Sequence, residues 1–231
     1  MISLLAPAYN EEDVIREFVR SIYAKVSLQE DWELIIVDDG SMDRTGAILK
    51  ELAGEHPNLR VVTHARNQNL GGALKSGIAA AKGRIIVTMD ADCAHPPELI
   101  GAMTAALANA DVCAASRFVP GGGMLRVPIH RRAMSRLANF LYRVFFLSPV
   151  KDNTGGFKAY NASLLKSVAI EEHGFAVQLE IMTKLIANKA RFTEIPFVLT
   201  NRDLGISKLN YVTAVPGYLK RVLILLIQRW S

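Results

Sequence analysis

An alternation running through the first half of the chain constrains its fold more than any other feature. Short apolar runs at 2–6, 34–37, 60–64, 85–89 and 112–115 are separated by helical patterns near 11–26, 43–56, 70–82 and 97–109. A strand wet on one face alternates apolar and polar residues; continuous apolar runs mark strands covered on both faces. Strand–helix alternation at this spacing predicts an α/β fold with a doubly wound, mostly parallel sheet flanked by helices. After Arg117 the rhythm breaks. A Gly-rich loop at 119–123 is followed by an Arg-rich helical pattern at 129–147, a strand at 155–160 and a short helix at 161–168. A helix at 179–189 and a late strand at 191–199 come next. From Leu209 onward the chain reads as a basic amphipathic helix interrupted by Pro216.

In parallel sheets, ligands bind beyond the carboxyl ends of the strands. Three such ends carry polar clusters: Pro7-Ala8-Tyr9-Asn10-Glu11, Asp38-Asp39-Gly40-Ser41 and Asp90-Ala91-Asp92. All three belong on one edge of the expected sheet, which is stronger evidence for a site than any one cluster. Two carboxylates one residue apart, such as Asp90 and Asp92, can share a hard divalent cation that also bridges to phosphate oxygens. The structural alternative is that Asp92 caps the helix opened by His95-Pro96-Pro97. Asp38 can accept hydrogen bonds from a nucleobase or ribose, and Asp-Gly-Ser is also good turn chemistry. Gly71-Gly72 completes neither a dinucleotide fingerprint nor a P-loop, and a helix start is its expected role.

Charge adds a second constraint. The chain of 231 residues carries a net charge of +5, which suits a phosphate-bearing partner. The charge is uneven: no acid occurs from 112 to 151, where Arg117, Arg126, Arg131, Arg132, Arg136, Arg143 and Lys151 stand, and none follows Asp203. Arg131, Arg132, Ser135 and Arg136 lie about a turn apart on a stretch that also carries Leu137, Phe140, Leu141, Val144, Phe145, Phe146 and Leu147. Phosphate-binding groups beside an apolar, aromatic row suit an anionic lipid at an interface; helix packing or a dimer contact is the plainer alternative. Half of the residues are hydrophobic, enough for a sizeable core. Cys93 and Cys113 form no CxxC pair, so zinc and thioredoxin-like chemistry find no support. No leader peptide is visible at Met1, and the longest apolar run, 222–227, is too short to cross a bilayer. No stacking-aromatic or helix-turn-helix pattern supports nucleic-acid binding.

These motifs, in this order and with Asn69-Leu70-Gly71-Gly72, resemble glycosyltransferase family 2. His95-Pro96-Pro97-Glu98, Ser116-Arg117, Arg131-Arg132-Ala133-Met134-Ser135-Arg136, Thr154-Gly155-Gly156-Phe157-Lys158 and Arg202-Asp203-Leu204-Gly205-Ile206-Ser207-Lys208 narrow the likeness. They are similar to those of dolichyl-phosphate mannose synthases and polyprenyl-phosphate glycosyltransferases. The resemblance implies a GT-A fold in a single domain over 1–231. Residues 1–116 would bind the nucleotide-sugar, 117–208 the acceptor, and 209–231 would form the tail. It implies inverting transfer from GDP-mannose or a UDP-hexose to a polyprenyl phosphate at the cytoplasmic membrane face. Mg²⁺ or Mn²⁺ would sit at Asp90 and Asp92. Pro7, Tyr9, Glu11, Val37, Asp38 and Asp39 would hold the nucleoside, and Asp90, Ala91 and Asp92 would reach the diphosphate. Arg117, Arg131 and Ser135 would hold the acceptor phosphate, and Arg202 and Lys208 would close on the donor. Some members place a metal-ligating Gln where this chain has Ala94. Many carry transmembrane helices beyond the position of Ser231, so a separate membrane partner is compatible. A saccharide or protein hydroxyl acceptor would instead require a carboxylate base, for which Glu180 is available unless it merely decorates a helix surface.

Overall fold

The computed structural model describes residues 1–200. The expected tail helix at 209–231, together with Arg202 and Lys208, lies outside the described residues. Within them the first half folds as β1 (Ile2–Ala8), α1 (Ile15–Lys25), β2 (Trp32–Asp38), α2 (Thr45–Glu55), β3 (Leu59–Thr63), α3 (Asn69–Ala80) and β4 (Ile85–Thr88). A 3₁₀ turn at Pro97–Leu99 leads into α4 (Ile100–Ala106) and β5 (Val112–Ser116). The second half contributes β6 (Gly123–Leu125), α5 (Ile129–Phe146), β7 (Lys158–Asn161), α6 (Ala162–Ser167), α7 (Val177–Ala187), β8 (Phe192–Pro196) and β9 (Val198–Thr200).

The main sheet has the order β3-β2-β1-β4-β7-β5-β8. β1 pairs in parallel with β2 and β4, and β2 with β3, so the carboxyl ends of β1, β2 and β4 share one edge, as the sequence predicts. The order reverses between β1 and β4, the switch point where open α/β sheets bind ligands. β7 enters antiparallel between β4 and β5. Its direction carries the loop that precedes it, Thr154–Phe157, to that same edge. The apolar run at 191–199 is one strand in the sequence but two in space. β8 joins β5, and beyond Pro196 the chain turns so that β9 pairs with β6. Part of the expected Gly-rich loop is thereby drawn into a small second sheet.

The strands read as continuous apolar runs because helices cover both faces. On one face Leu4, Leu34, Ile36 and Val87 pack with Ile15, Phe18 and Ile22 of α1, Leu49 of α2 and Met103 of α4. On the other face Leu5, Ile35 and Val37 meet Leu74 and Ile78 of α3, Leu165 of α6 and Ile181 of α7. A third, smaller cluster seats α5 through Tyr142 and Phe146 against Leu179 and Met182 of α7. No helix among the described residues is long and apolar enough to cross a membrane.

Candidate active site

The ends of β1 and β2 are laced together by short polar contacts. Ser41 Oγ accepts from the Asn10 N–H (3.0 Å), and Asn10 Oδ1 accepts from the Met42 N–H (2.8 Å). Thr45 Oγ1 accepts from the Glu11 N–H at 2.7 Å. Glu11 stands in the turn before α1, whose first helical residue is Ile15, and its carbonyl accepts from the Ile15 N–H at 2.9 Å. Asp38 makes the expected turn, its Oδ1 accepting from the Ser41 N–H at 3.1 Å. Gly40 has a φ of 71°, and a Cβ there would meet the Arg66 backbone at 2.6 Å, so only glycine fits.

Asp39 is committed to structure. Its Oδ1 takes the His64 ring at 2.6 Å and the Gln68 N–H at 2.9 Å. With Nδ1 donating to a carboxylate, Nε2 of a neutral ring accepts from Ser76 Oγ, 2.8 Å away. The side chains of Val37 and Ala91 are packed in the core, leaving only their backbones for a ligand. Pro7 and Tyr9 are half-buried at the end of β1.

At the end of β4 the chain turns through Asp90-Ala91-Asp92. Asp92 is buried, and its Oδ1 accepts from the Ala94 N–H at 2.9 Å, so it caps this local turn. The following 3₁₀ turn has Pro96 as its cap residue with no side-chain hydrogen bond, so Asp92 is not its cap. His95 is a site residue to which the sequence assigned no role. Its Nδ1 accepts from the Asp90 N–H at 3.0 Å, which leaves the proton of the neutral ring on Nε2, 3.8 Å from Asp90 Oδ2. The ring stacks on Phe157 at 4.9 Å and meets the edge of Phe197 at 5.9 Å.

A cleft of about 230 Å³ opens over this turn, lined by Asp90, Asp92, Ala94, His95, Arg117, Arg131, Thr154, Gly155 and Gly156 among others. The fold thus brings Asp90, Asp92, Arg117 and Arg131 together. Pro7, Tyr9, Glu11, Val37, Asp38, Asp39 and Ser135 do not line this cleft. All but Ser135 stand at the neighbouring strand ends, and Ser135 on α5 gives its carbonyl to Asn139 Nδ2 at 2.9 Å. Of the basic row on α5, Arg131 reaches the cleft while Arg136 faces solvent.

One wall of the cleft is held by a buried polar knot. Asp152 Oδ2 accepts from Arg117 Nε at 2.7 Å and from the Arg117 N–H at 3.0 Å, while Oδ1 accepts from Arg117 Nη2 at 2.6 Å. Burial alone would raise the Asp152 carboxyl, but the hydrogen bonds and charge of Arg117 outweigh it and hold it below the ordinary carboxylate range. Asn139 of α5 accepts from the Asn153 N–H at 2.6 Å and donates to Thr154 Oγ1 at 3.0 Å. Lys158 is fully buried and donates to the carbonyls of Asn153 and Gly155. Burial pushes its ammonium down to about 8, against the pull of Asp152.

Glu180 departs from both sequence expectations. It is fully buried on α7, accepting from the Glu172 N–H at 2.8 Å and from Lys184 Nζ at 2.8 Å. It therefore neither decorates a helix surface nor lines the cleft.

The donor set of the carboxylate turn decides which metal it suits. Two carboxylates from one turn face one cleft, and no group of three His, Cys, Asp or Glu side chains gathers among the described residues. Such a set does not fit a caged structural metal. It fits Mg²⁺ or Mn²⁺, which bind through one or two carboxylates and complete their shells with water and phosphate oxygens.

Fold and site together define an open-sheet α/β protein whose acid-lined cleft lies over the carboxyl ends of its strands at the switch point. The chain belongs to glycosyl transferase family 2, whose model matches residues 3–169. It is 32% identical over 225 residues to a dolichol-phosphate mannosyltransferase of Pyrococcus furiosus, covering 96% of this chain and 62% of that relative. It is 32% identical over 215 residues to a polyprenol monophosphomannose synthase of Mycolicibacterium smegmatis, covering 90% of this chain and 80% of the relative. The chain thus spans a little under two thirds of the archaeal relative and four fifths of the bacterial one. A crystal structure of a mycobacterial protein superposes with a TM-score of 0.74 at 25% identity, covering 99% of this chain and 74% of that one. The mannosyltransferase PcManGT from Pyrobaculum calidifontis, solved with GDP-Man and Mn²⁺, gives 0.67 at 19% identity, covering 99% and 63%. The architecture is the GT-A fold, as expected from the sequence.

Proposed function

We propose that this chain transfers a hexose from a nucleotide-sugar to a polyprenyl phosphate, assisted by Mg²⁺ or Mn²⁺ and working at a membrane face. The observation that carries the proposal is the shared cleft: the Asp90/Asp92 pair stands in one cavity with the guanidinium-bearing Arg117 and Arg131. Carboxylates and guanidiniums attract opposite partners, so the cleft suits two ligands, a metal-bearing diphosphate and a second anion. Relatives named for mannosyl transfer to dolichol and polyprenol phosphates support this choice of acceptor and make mannose the first donor to test.

The nucleoside would lie over the ends of β2 and β1, with Asp38, Glu11 and Tyr9 in reach, and the diphosphate over the end of β4. Asp90 and Asp92 would hold the metal, which when bound neutralises charge on the leaving diphosphate. Arg131 would position the acceptor phosphate, while Arg117, braced by Asp152, keeps its place in the same wall. A phosphate acceptor is anionic at neutral pH, so it attacks the anomeric carbon without a strong base, and positioning does most of the work. A hydroxyl acceptor would need a base, and Glu180 is enclosed by the loop before α7 and by Lys184. The part of the proposal assigned to Arg202 and Lys208, closing on the donor diphosphate, rests on the sequence resemblance alone.

The test is transfer of labelled mannose from GDP-mannose, and of glucose from UDP-glucose, to a short polyprenyl phosphate with Mn²⁺. Labelled lipid is expected. Asp92→Asn preserves an acceptor for the Ala94 N–H but removes the charge, and should lower kcat/KM about a hundredfold or more without changing Tm. Absence of transfer from every common donor, or full activity in Asp92→Asn, would overturn the proposal.

A further inference from the structure

Gln178 is the second residue of α7 and stands among Val177, Leu179, Ile181 and Met182, all buried. It is itself 5% exposed, and its Oε1 makes no hydrogen bond among the described residues. An amide oxygen buried without a partner destabilises a fold, and a leucine would fill this helical position without that cost. The amide nevertheless lies next to a residue of the cleft wall. A Cβ on Gly156 would sit 3.6 Å from Gln178 Nε2 and 3.1 Å from Asp90 Oδ1. Gly156, which lines the cleft, thus stands beside both the Asp90 carboxylate and the amide, and Gln178 lies just behind the lining residues. Thr88 Oγ1 donates to the Gly156 carbonyl at 2.6 Å and fixes that glycine in place.

We propose that Gln178 reads a hydroxyl of the donor sugar, seated over Gly156 beside Asp90. The proposal rests on the nucleotide-sugar reading above. Its chemistry follows from what a primary amide offers. It presents one acceptor and two donors, and a half-turn of the amide exchanges them. A phosphate oxygen only accepts and a metal ion takes only an acceptor, so either leaves half of the amide unused. A hydroxyl both donates and accepts, and matches it. Gln178 is thus a specificity-determining contact that a search for charged residues at strand ends passes over.

The experiment compares wild type with Gln178→Leu, measuring by calorimetry in Mn²⁺ the affinity for the best nucleotide-sugar and for its nucleoside diphosphate. Loss of one neutral hydrogen bond should weaken nucleotide-sugar binding roughly tenfold. Affinity for the nucleoside diphosphate should not change, and Tm should not fall, because an unpartnered polar atom is removed. If Gln178→Leu does not fold, the linear Gln178→Met is used in the same assays. Monodeoxy donors add a second readout: one of them should bind wild type more weakly than the full donor but bind the variant equally well. Unchanged nucleotide-sugar affinity in the variant, or an equal loss for the nucleoside diphosphate, overturns the sugar-reading role alone. Failure of wild type to bind any nucleotide-sugar overturns the transfer reading and this inference with it.

Discussion

Arg117 shows how much of this site is decided by partners far away in sequence. Its guanidinium is held by Asp152, 35 residues later, through contacts at 2.6 and 2.7 Å. Removing the carboxylate leaves a largely buried cation without its counter-charge, so Asp152→Ala should cost about 3–5 kcal/mol in urea unfolding. The pH dependence has a definite sign. Asp152 is held below the carboxyl value it has when unfolded, so its stabilisation is complete above that unfolded value. It is lost as pH falls through the lower, folded value. The urea midpoint of wild type should therefore fall more steeply on acidification through and below the carboxylate range than that of Asp152→Asn. Equal slopes would show that Asp152 does not carry this linkage. The carboxylates of Asp90 and Asp92 were legible because they close an apolar strand. His95 and Gln178 were not, because what marks them is burial and a neighbour rather than residue type.

Among the elements, α5 is seated by one face and exposes apolar side chains on another. Asn139, Tyr142 and Phe146 are buried, while Leu137, Phe140, Leu141 and Val144, spaced i, i+3, i+4, i+7, are exposed. Phe140 is 60% exposed, and Arg136 and Arg143 stand exposed on the same helix. Apolar area of this kind beside cations suits the interfacial region of an anionic bilayer, which supports the proposed membrane face. The double variant Phe140→Asp, Val144→Asp should lose sedimentation with anionic vesicles while keeping its Tm, since neither side chain packs in the core. Undiminished sedimentation would remove α5 from the membrane contact. The helix itself was legible from its period. The period alone did not say which of its arginines enters the cleft: the resemblance named Arg131, and the docked orientation separates it from Arg136, five residues further along the helix.

Across the whole molecule, the two halves are interleaved. β7, from the second half, separates β4 from β5, and the first turn of α3 abuts the segment before α7. The Gly71 N–H donates to the His173 carbonyl at 2.7 Å, and a Cβ on Gly71 would lie 1.9 Å from the Glu172 carbonyl oxygen. Gly71→Ala must push one backbone off another and should destabilise the fold by about 1–3 kcal/mol. Far- and near-ultraviolet circular dichroism should shift together in its urea titration, as expected if both halves unfold as one unit. Two separate transitions would contradict a single domain.

By itself the sequence determined the strand–helix alternation, the parallel core of β1, β2, β3 and β4, and the edge on which Asp38, Asp90 and Asp92 meet. Those features follow from local periodicity and from one rule about where parallel sheets bind ligands. Only the tertiary structure decided that β7 runs antiparallel through the middle of the sheet, that Gly155-Gly156 thereby floors the cleft, and that Glu180 is enclosed. Strand order and burial are set by contacts between segments distant along the chain, and no periodicity within a segment records which partner it will meet.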